Sequence, residues 1–191
     1  KKGRFLFKLT GCKKPTGIAV NKSGKLLYVA DTEAHDIKVF DLSGKPVKTP
    51  IKTIGRPGSG KGEFNFPVDL FVNGNGDLYV TDTMNYRIQI FDKNGDFLRM
   101  FGHHGNGTGD FGRPKGVAAD RFGNIYVVDA IFDTVQIFDP NGKFLLNFGS
   151  IGNGPGNFWM PTGLYIDETN KVYVADSYNK RVQVFEYIGG E

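Results

Sequence analysis

A spacing of 47 residues recurs along this chain and limits what it can fold into more than any other feature. Pro67, Pro114 and Pro161 keep that step, as do Tyr79, Tyr126 and Tyr173, then Asp82, Asp129 and Asp176, then Phe91, Phe138 and Phe185. The turn glycines Gly95, Gly142 and Gly189 follow it too. An earlier copy runs through Pro15, Tyr28, Asp31, Phe40 and Gly44, with one extra residue before Tyr28 and four more before Gly55. A period of this length marks a supersecondary unit that cannot bury its own apolar faces and must stack on its neighbours. The copies fall at approximately residues 11–63, 64–110, 111–157 and 158–191, so the whole chain reads as one repeat domain or part of one.

Within a copy the signals are those of short strands. In the third, residues 116–119, 124–129, 134–138 and 143–148 are strand candidates, separated by turn sequences such as Asp139-Pro140-Asn141-Gly142. Asn-Gly and Asp/Gly pairs supply the positive φ that tight hairpins need. Hairpin-linked strands make an antiparallel meander, and no long amphipathic segment offers a parallel crossover. Ile88-Gln89-Ile90-Phe91 and Ile125-Tyr126-Val127-Val128 are apolar on both faces. A sheet apolar on both faces must be covered on both, which points to an all-β propeller of four-stranded blades fanned about an axis. The 27 glycines and 17 phenylalanines agree with strands, tight turns and aromatic packing. Residues 4–9 align with an outer strand and are expected to complete the last blade or belong to a missing one. The chain begins inside a copy, which reads as a processed or truncated start.

Several function classes are excluded or disfavoured. No apolar run approaches the roughly 20 residues that span a bilayer. The net charge of +4 is mild, and the basic residues are spread rather than gathered in a stripe. One cysteine, Cys12, forms no internal disulfide framework and carries no assigned role.

The segments Leu78-Tyr79-Val80-Thr81-Asp82-Thr83 with Asn85-Tyr86-Arg87-Ile88-Gln89-Ile90-Phe91, and Val172-Tyr173-Val174-Ala175-Asp176-Ser177 with Asn179-Lys180-Arg181-Val182-Gln183-Val184-Phe185, resemble the NHL repeat. The resemblance implies a propeller usually of six blades, of which this chain would be the C-terminal four repeats. It is closer to bacterial, exported NHL proteins than to animal NHL domains joined to RING and B-box modules. A periplasmic or secreted location is therefore what the resemblance implies, although the chain itself shows no export signal.

Function is expected on the loop-rich rim, where second strands turn into third strands and blades connect. The glycine-rich connections at 55–64, 102–111 and 149–158 lack the following helix and Lys-Ser/Thr of a phosphate loop, so they read as backbone turns. Asn85/Arg87 and Asn179/Arg181 are read as braces on the strand-ending aspartates, with a rim-binding role as the alternative. The other copies carry Ala34/Asp36 and Phe132/Thr134. The rim candidates are accordingly His35, Asp36, Tyr86, Arg87, His103, His104, Phe132, Asp133, Trp159, Tyr178 and Arg181, with Trp159 read equally well as packing between blades. Asp69 replaces the family's glycine near the axis and, with Lys115, is a channel candidate.

Some related propellers are lyases or lactonase-like enzymes with a channel metal. Here a set of His35, Asp69 and His103 would have to converge from different blades, and no repeated ligand position supports it. No cofactor or metal is expected, and no catalytic residue is assigned. The expected function is a non-catalytic binding or scaffold module for a protein, peptide or glycan. RNA binding is the alternative, and a metal-dependent lyase or lactonase-like propeller the second alternative. No membrane insertion is expected, while an open ring would self-associate.

Overall fold

The computed structural model describes residues 3–44 and 48–186, so Gly189, the last turn glycine of the repeat, lies outside the described residues. The first blade consists of β1 (Pro15–Val20), β2 (Leu26–Asp31), β3 (Asp36–Asp41) and β4 (Lys52–Ile54). A small parallel pair, β5 (Arg56–Pro57) and β6 (Glu63–Phe64), closes the loop into the second blade. That blade comprises β7 (Pro67–Val72), β8 (Leu78–Asp82), β9 (Arg87–Phe91) and β10 (Phe97–Phe101). The third comprises β11 (Pro114–Ala119), β12 (Ile125–Asp129), β13 (Thr134–Phe138) and β14 (Phe144–Phe148). The fourth shows three strands, β15 (Leu164–Ile166), β16 (Lys171–Asp176) and β17 (Arg181–Glu186). Every pairing within a blade is antiparallel and joins sequence neighbours, as the turn chemistry of the repeat requires. The fold is an all-β propeller arrangement of four blades.

Packing between blades supplies the core. Tyr28, Ala30, Ile37 and Val39 of the first blade meet Phe64, Leu70, Leu78, Val80 and Phe91 of the second. Tyr79, Ile88 and Ile90 meet Phe111, Val117, Ile125, Val127 and Phe138. Tyr126, Val128, Val135 and Ile137 meet Phe158, Val172 and Val174. A phenylalanine ending each connection, Phe64, Phe111 or Phe158, is fully buried and wedges against the third-strand phenylalanine of the blade it enters. Room for that wedge comes from Gly55, Gly102 and Gly149. Each has positive φ, and a Cβ there would fall inside the ring of the wedge itself.

Among the described residues these three clusters join four blades in succession, and no cluster joins the fourth blade to the first. Ile18 and Val20 are exposed on the first blade, and Tyr165, Val182 and Val184 on the fourth. The blades therefore form an arc whose fourth blade ends in an open apolar sheet face, while on the first blade Val29 and Phe40, on the same face as Ile18 and Val20, are buried.

Of the two placements expected for residues 4–9, completing the last blade is not what the structure shows. Residues 4–9 form no strand, and Phe5 and Leu6 stand exposed. A strand exists only where a neighbouring edge accepts and donates its backbone hydrogen bonds. The nearest anchor of this segment is instead Thr10, whose N–H donates to the Lys48 carbonyl at 2.8 Å.

Candidate functional site: the loop-rich rim

The rim is assembled around four buried carboxylates. Asp31, Asp82, Asp129 and Asp176 end the second strands and have no solvent exposure. Each accepts backbone N–H groups from the segment entering its own blade. Asp31 receives Lys13 and Lys14, both at 2.7 Å, and Asp82 receives Asn65 at 2.7 Å. Asp129 receives Gly112 and Arg113 as well as Ile131 and Phe132, and Asp176 receives Trp159 at 2.8 Å. Multiple N–H donors satisfy a carboxylate that burial alone would make costly.

The next side chains along the third strand differ between blades, and they decide how the glycine-rich connections are held. Arg87 donates from Nε to Asp82 at 2.8 Å and fans its terminal nitrogens onto the carbonyls of Ser59, Gly60 and Glu63. Arg181 repeats this with Asp176 and the carbonyls of Asn153, Gly154 and Asn157. Asn85 and Asn179 add bonds to Gly58 and Gly152. Gln89 and Gln183 each complete a two-point clamp. The amide nitrogen of Gln89 donates to Glu63 O while its oxygen accepts Gly62 N–H, and Gln183 does the same with Asn157 and Gly156. Arg87 and Arg181 are thus internal braces whose donors are committed to the protein itself.

Asp36 and Lys38 occupy the equivalent places in the first blade and pair at 2.7 Å. Asp36 is buried with one carboxylate oxygen lacking a partner among the described residues. Burial pushes its carboxyl pKa up, against the opposing pull of the Lys38 bond and charge.

His35, Tyr86, Asp133 and Lys180 share the corner before the third strand, all in the left-handed region with φ of 57, 55, 52 and 56°. That conformation is costly for residues other than glycine and aims these side chains away from their own blade. His35 Nδ1 accepts the Phe66 N–H at 3.2 Å, and Asp133 accepts the Met160 N–H at 2.7 Å. Each acceptor thus ties its blade to the residue before the next blade's first proline. Thr32 and Thr83 reinforce this by donating to the carbonyls of Pro67 and Pro114. Tyr86 is half-buried and packs on His104 with ring centroids 4.4 Å apart. His103 pairs with Asp110 at 2.7 Å across its loop, where Arg56–Glu63 and Ser150–Asn157 make the equivalent links. The seven-residue spacing of these pairs is visible in the sequence, although only the folded loop assigns it a purpose.

Trp159 and Tyr178 remain open. Trp159 is 49% exposed and packs at a tilt against Tyr178, itself exposed, with ring centroids 5.4 Å apart rather than lying between blades. Phe66, Met84, Ile131 and Ile151 are exposed on loops and corners of the same rim. Phe132 is half-buried and lines a cleft beneath the loop at 102–110.

Near the axis, Asp69 accepts the N–H of Val117 on the neighbouring blade at 3.0 Å. Burial raises its pKa to about 6, outweighing the lowering effect of the Val117 and Leu70 N–H groups. Lys115 makes no ion pair with it among the described residues. The lysine's pKa is lowered, first by burial and then by the charge of Arg113. Among the described residues no three His, Cys, Asp or Glu side chains converge as a metal-holding group would require. His35, Asp69 and His103 stay apart, each tied to a different partner.

Stacked four-stranded meanders joined by buried wedges define a β-propeller, and a profile described as a six-bladed β-propeller matches residues 73–133. More particularly, the NHL repeat profile matches residues 13–40 and 158–185, at the first and fourth blades. NHL repeat-containing protein 2 of Gallus gallus is 40% identical over 93 residues, covering 45% of this chain and 13% of that protein. Protein brain tumor of Drosophila melanogaster is 34% identical over 89 residues, covering 46% and 8% respectively. The chain therefore spans a small part of the curated relatives it matches, and these relatives are animal proteins. Among solved structures, a streptogramin B lyase superposes with a TM-score of 0.63 at 14% identity, covering 93% of this chain and 56% of that one. A protein of unknown function from Bacteroides thetaiotaomicron reaches 0.70 at 16% identity, covering 89% and 46%. At such identities these structures show the shared fold.

Two outcomes follow from the site. Arg87→Ala leaves the buried Asp82 carboxylate with only the neutral donors of Asn65, Asn85 and Gln89 and is expected to cost about 3 kcal/mol in urea unfolding. Arg181→Ala, at a guanidinium that solvent already reaches, should cost less than half as much. For Asp69, the folded pKa lies above the ordinary carboxylate value, so the native state binds more protons between the two values. Wild-type stability should therefore fall as pH rises from about 4 to above 6, by about 1–3 kcal/mol relative to Asp69→Asn, which keeps an acceptor for Val117. Parallel pH slopes for the two proteins would remove this assignment.

Proposed function

We propose that the chain is a non-catalytic binding module that presents its loop-rich rim to a protein or peptide partner. The supporting observation is the exposed apolar set Phe66, Met84, Ile131, Ile151, Trp159 and Tyr178, carried on loops that buried carboxylates and arginines hold in place. Aromatic anchors on a pre-ordered surface lose little conformational entropy on binding, which is why such residues dominate interfaces. The resemblance to NHL-repeat chains supports the same role, and a glycan stacked on Trp159 and Tyr178 is a narrower form of it. An extracytoplasmic setting belongs to this proposal through the resemblance to exported NHL proteins. The open face of the fourth blade adds a second element, since apolar blade faces are covered in a propeller, by further blades or by a second copy.

RNA binding draws less support from the rim. Arg87 and Arg181 spend their donors internally, Arg56 is paired with Glu63, and Asp110 and Asp133 interrupt the remaining basic residues. The catalytic alternative rests on fold likeness to a lyase at 14% identity.

The test is selection of binders from a random peptide library and a single-stranded RNA pool against the same immobilised protein. Selected peptides should lose at least about tenfold in affinity with Trp159→Ala or Tyr178→Ala, the size expected of aromatic anchors, and be indifferent to Lys61→Ala and Lys180→Ala. Recovery of RNA alone, with affinity falling steeply as salt rises, would replace this reading with the nucleic-acid one.

A further inference from the structure

The third blade keeps the glycine-rich connection of its neighbours but lacks the arginine that fills its underside. Shifting Arg87 and Arg181 onto this blade gives Thr134, and the carbonyls they bind become those of Asn106, Gly107 and Asp110. The loop has the same internal closure with and without the guanidinium. Asp110 N–H donates to Gly107 O at 3.2 Å, just as Glu63 N–H donates to Gly60 O at 3.2 Å. Where the arginine would lie there is a cleft of about 440 Å³, lined among others by Asn106, Gly107, Phe132, Thr134, Gln136 and Asn147.

The acceptors of this cleft are left open. Gln136 is 4% exposed and its nitrogen donates to Asp110 O at 2.8 Å, as Gln89 does to Glu63 O. Its oxygen, however, accepts no hydrogen bond among the described residues, whereas Gln89 and Gln183 receive Gly62 and Gly156 N–H at 3.0 Å. The Asn106 carbonyl likewise has no donor among the described residues, while its counterparts at Ser59 and Asn153 each accept from an arginine Nη1. Both oxygens face the cleft with no protein donor among the described residues, so a ligand that supplies N–H groups finds acceptors already in place. The wall has changed in the same sense. Met100, whose sulfur lies 3.3 Å from Arg87 Nη1, becomes Asn147, which brings a carboxamide oxygen. Asn85 becomes Phe132, which brings an aromatic face suited to a planar cation.

We propose that this cleft accepts the guanidinium of an arginine side chain carried by a partner polypeptide, in the place that Arg87 and Arg181 occupy within their own blades. Several carbonyl-type oxygens spread around a slot beside a ring match the five donors and flat shape of guanidinium, whereas an ammonium offers three donors from one point. Asp129 does not replace the Asp82–Arg87 contact, because both its oxygens are capped by backbone N–H groups, so the guest is held by neutral acceptors and the ring. The inference rests on the rim-binding reading for the source of the arginine, and the cleft itself is tested separately from the Trp159 surface.

The experiment is a titration of the isotope-labelled chain by NMR with the blocked tripeptide acetyl-Gly-Arg-Gly-amide, its lysine counterpart and free arginine. Saturable shifts are expected at the amides of Asn106 and Gly107 and at the Gln136 side chain, with the lysine peptide weaker by at least about tenfold. Thr134→Arg, which gives this blade its neighbours' own brace, should abolish the response and raise the melting temperature. Asn147→Met should weaken binding several-fold, and it serves as the deciding variant where Thr134→Arg does not fold. No saturable shift, an equal response to lysine, or an undiminished response in Asn147→Met and a folded Thr134→Arg would overturn the proposal. Free arginine binding more tightly than the blocked peptide would overturn the polypeptide source. A silent cleft in a protein whose selected peptides still depend on Trp159 defeats this inference alone, whereas loss of both defeats the rim reading as well.

Discussion

Four carboxylates, Asp31, Asp82, Asp129 and Asp176, sit without solvent at the ends of the second strands and accept backbone N–H groups from the chain as it enters each blade. A connection so rich in glycine has much conformational entropy to lose and few side chains with which to offset it. The carboxylate provides the fixed point, and the buried phenylalanine wedge beside it provides the apolar contact. With both in place the connection is ordered enough to hold side chains at the rim in set directions. Remove the carboxylate and the wedge has no fixed entry, so packing between blades depends on a polar interaction at its edge.

The repeat allows this scaffold to vary in one shell while keeping another constant. The aspartates, the wedge phenylalanines and the positive-φ corners recur, whereas the residue five places after the aspartate is Asp36, Arg87, Thr134 or Arg181. Two of these brace the loop that enters their own blade from below, one is an ion pair with Lys38, and one leaves a cleft. Differences in that single position alter the surface without disturbing strand register, because the loop closure is carried by its own backbone bonds and by pairs such as His103–Asp110. Variation confined to braces is a route by which identical blades acquire distinct contacts.

Much of the fold was legible because strand pattern and turn chemistry are local. The 47-residue step, the hairpin glycines and the two-faced apolar strands suffice to place the sheets and their stacking. The bracing by Asn85/Arg87 and Asn179/Arg181 was legible too, since the aspartate they hold is five residues or fewer away. Their second set of partners was not, because the carbonyls of Ser59, Gly60 and Glu63 are some two dozen residues distant and carry no side-chain signature. Residues 4–9 looked like an outer strand by alignment, but a strand's identity lies in its partner edge, which composition does not encode. Exposure was similarly hidden: His35, Tyr86 and Asp133 read as contact residues, yet their left-handed backbone turns them toward the neighbouring blade or loop. Trp159 had two equal readings in sequence, and only its contact with Tyr178 at the surface separates them.

Amide hydrogen exchange in Asp129→Asn addresses the carboxylate clamp most directly, since the change keeps the shape and turns one acceptor into a donor. The account predicts that Gly112, Arg113, Ile131 and Phe132 lose protection by at least about tenfold, equivalent to one hydrogen bond's worth of stability, while the β7–β8 pairing of the second blade is less affected. Unchanged protection at those four amides would contradict it.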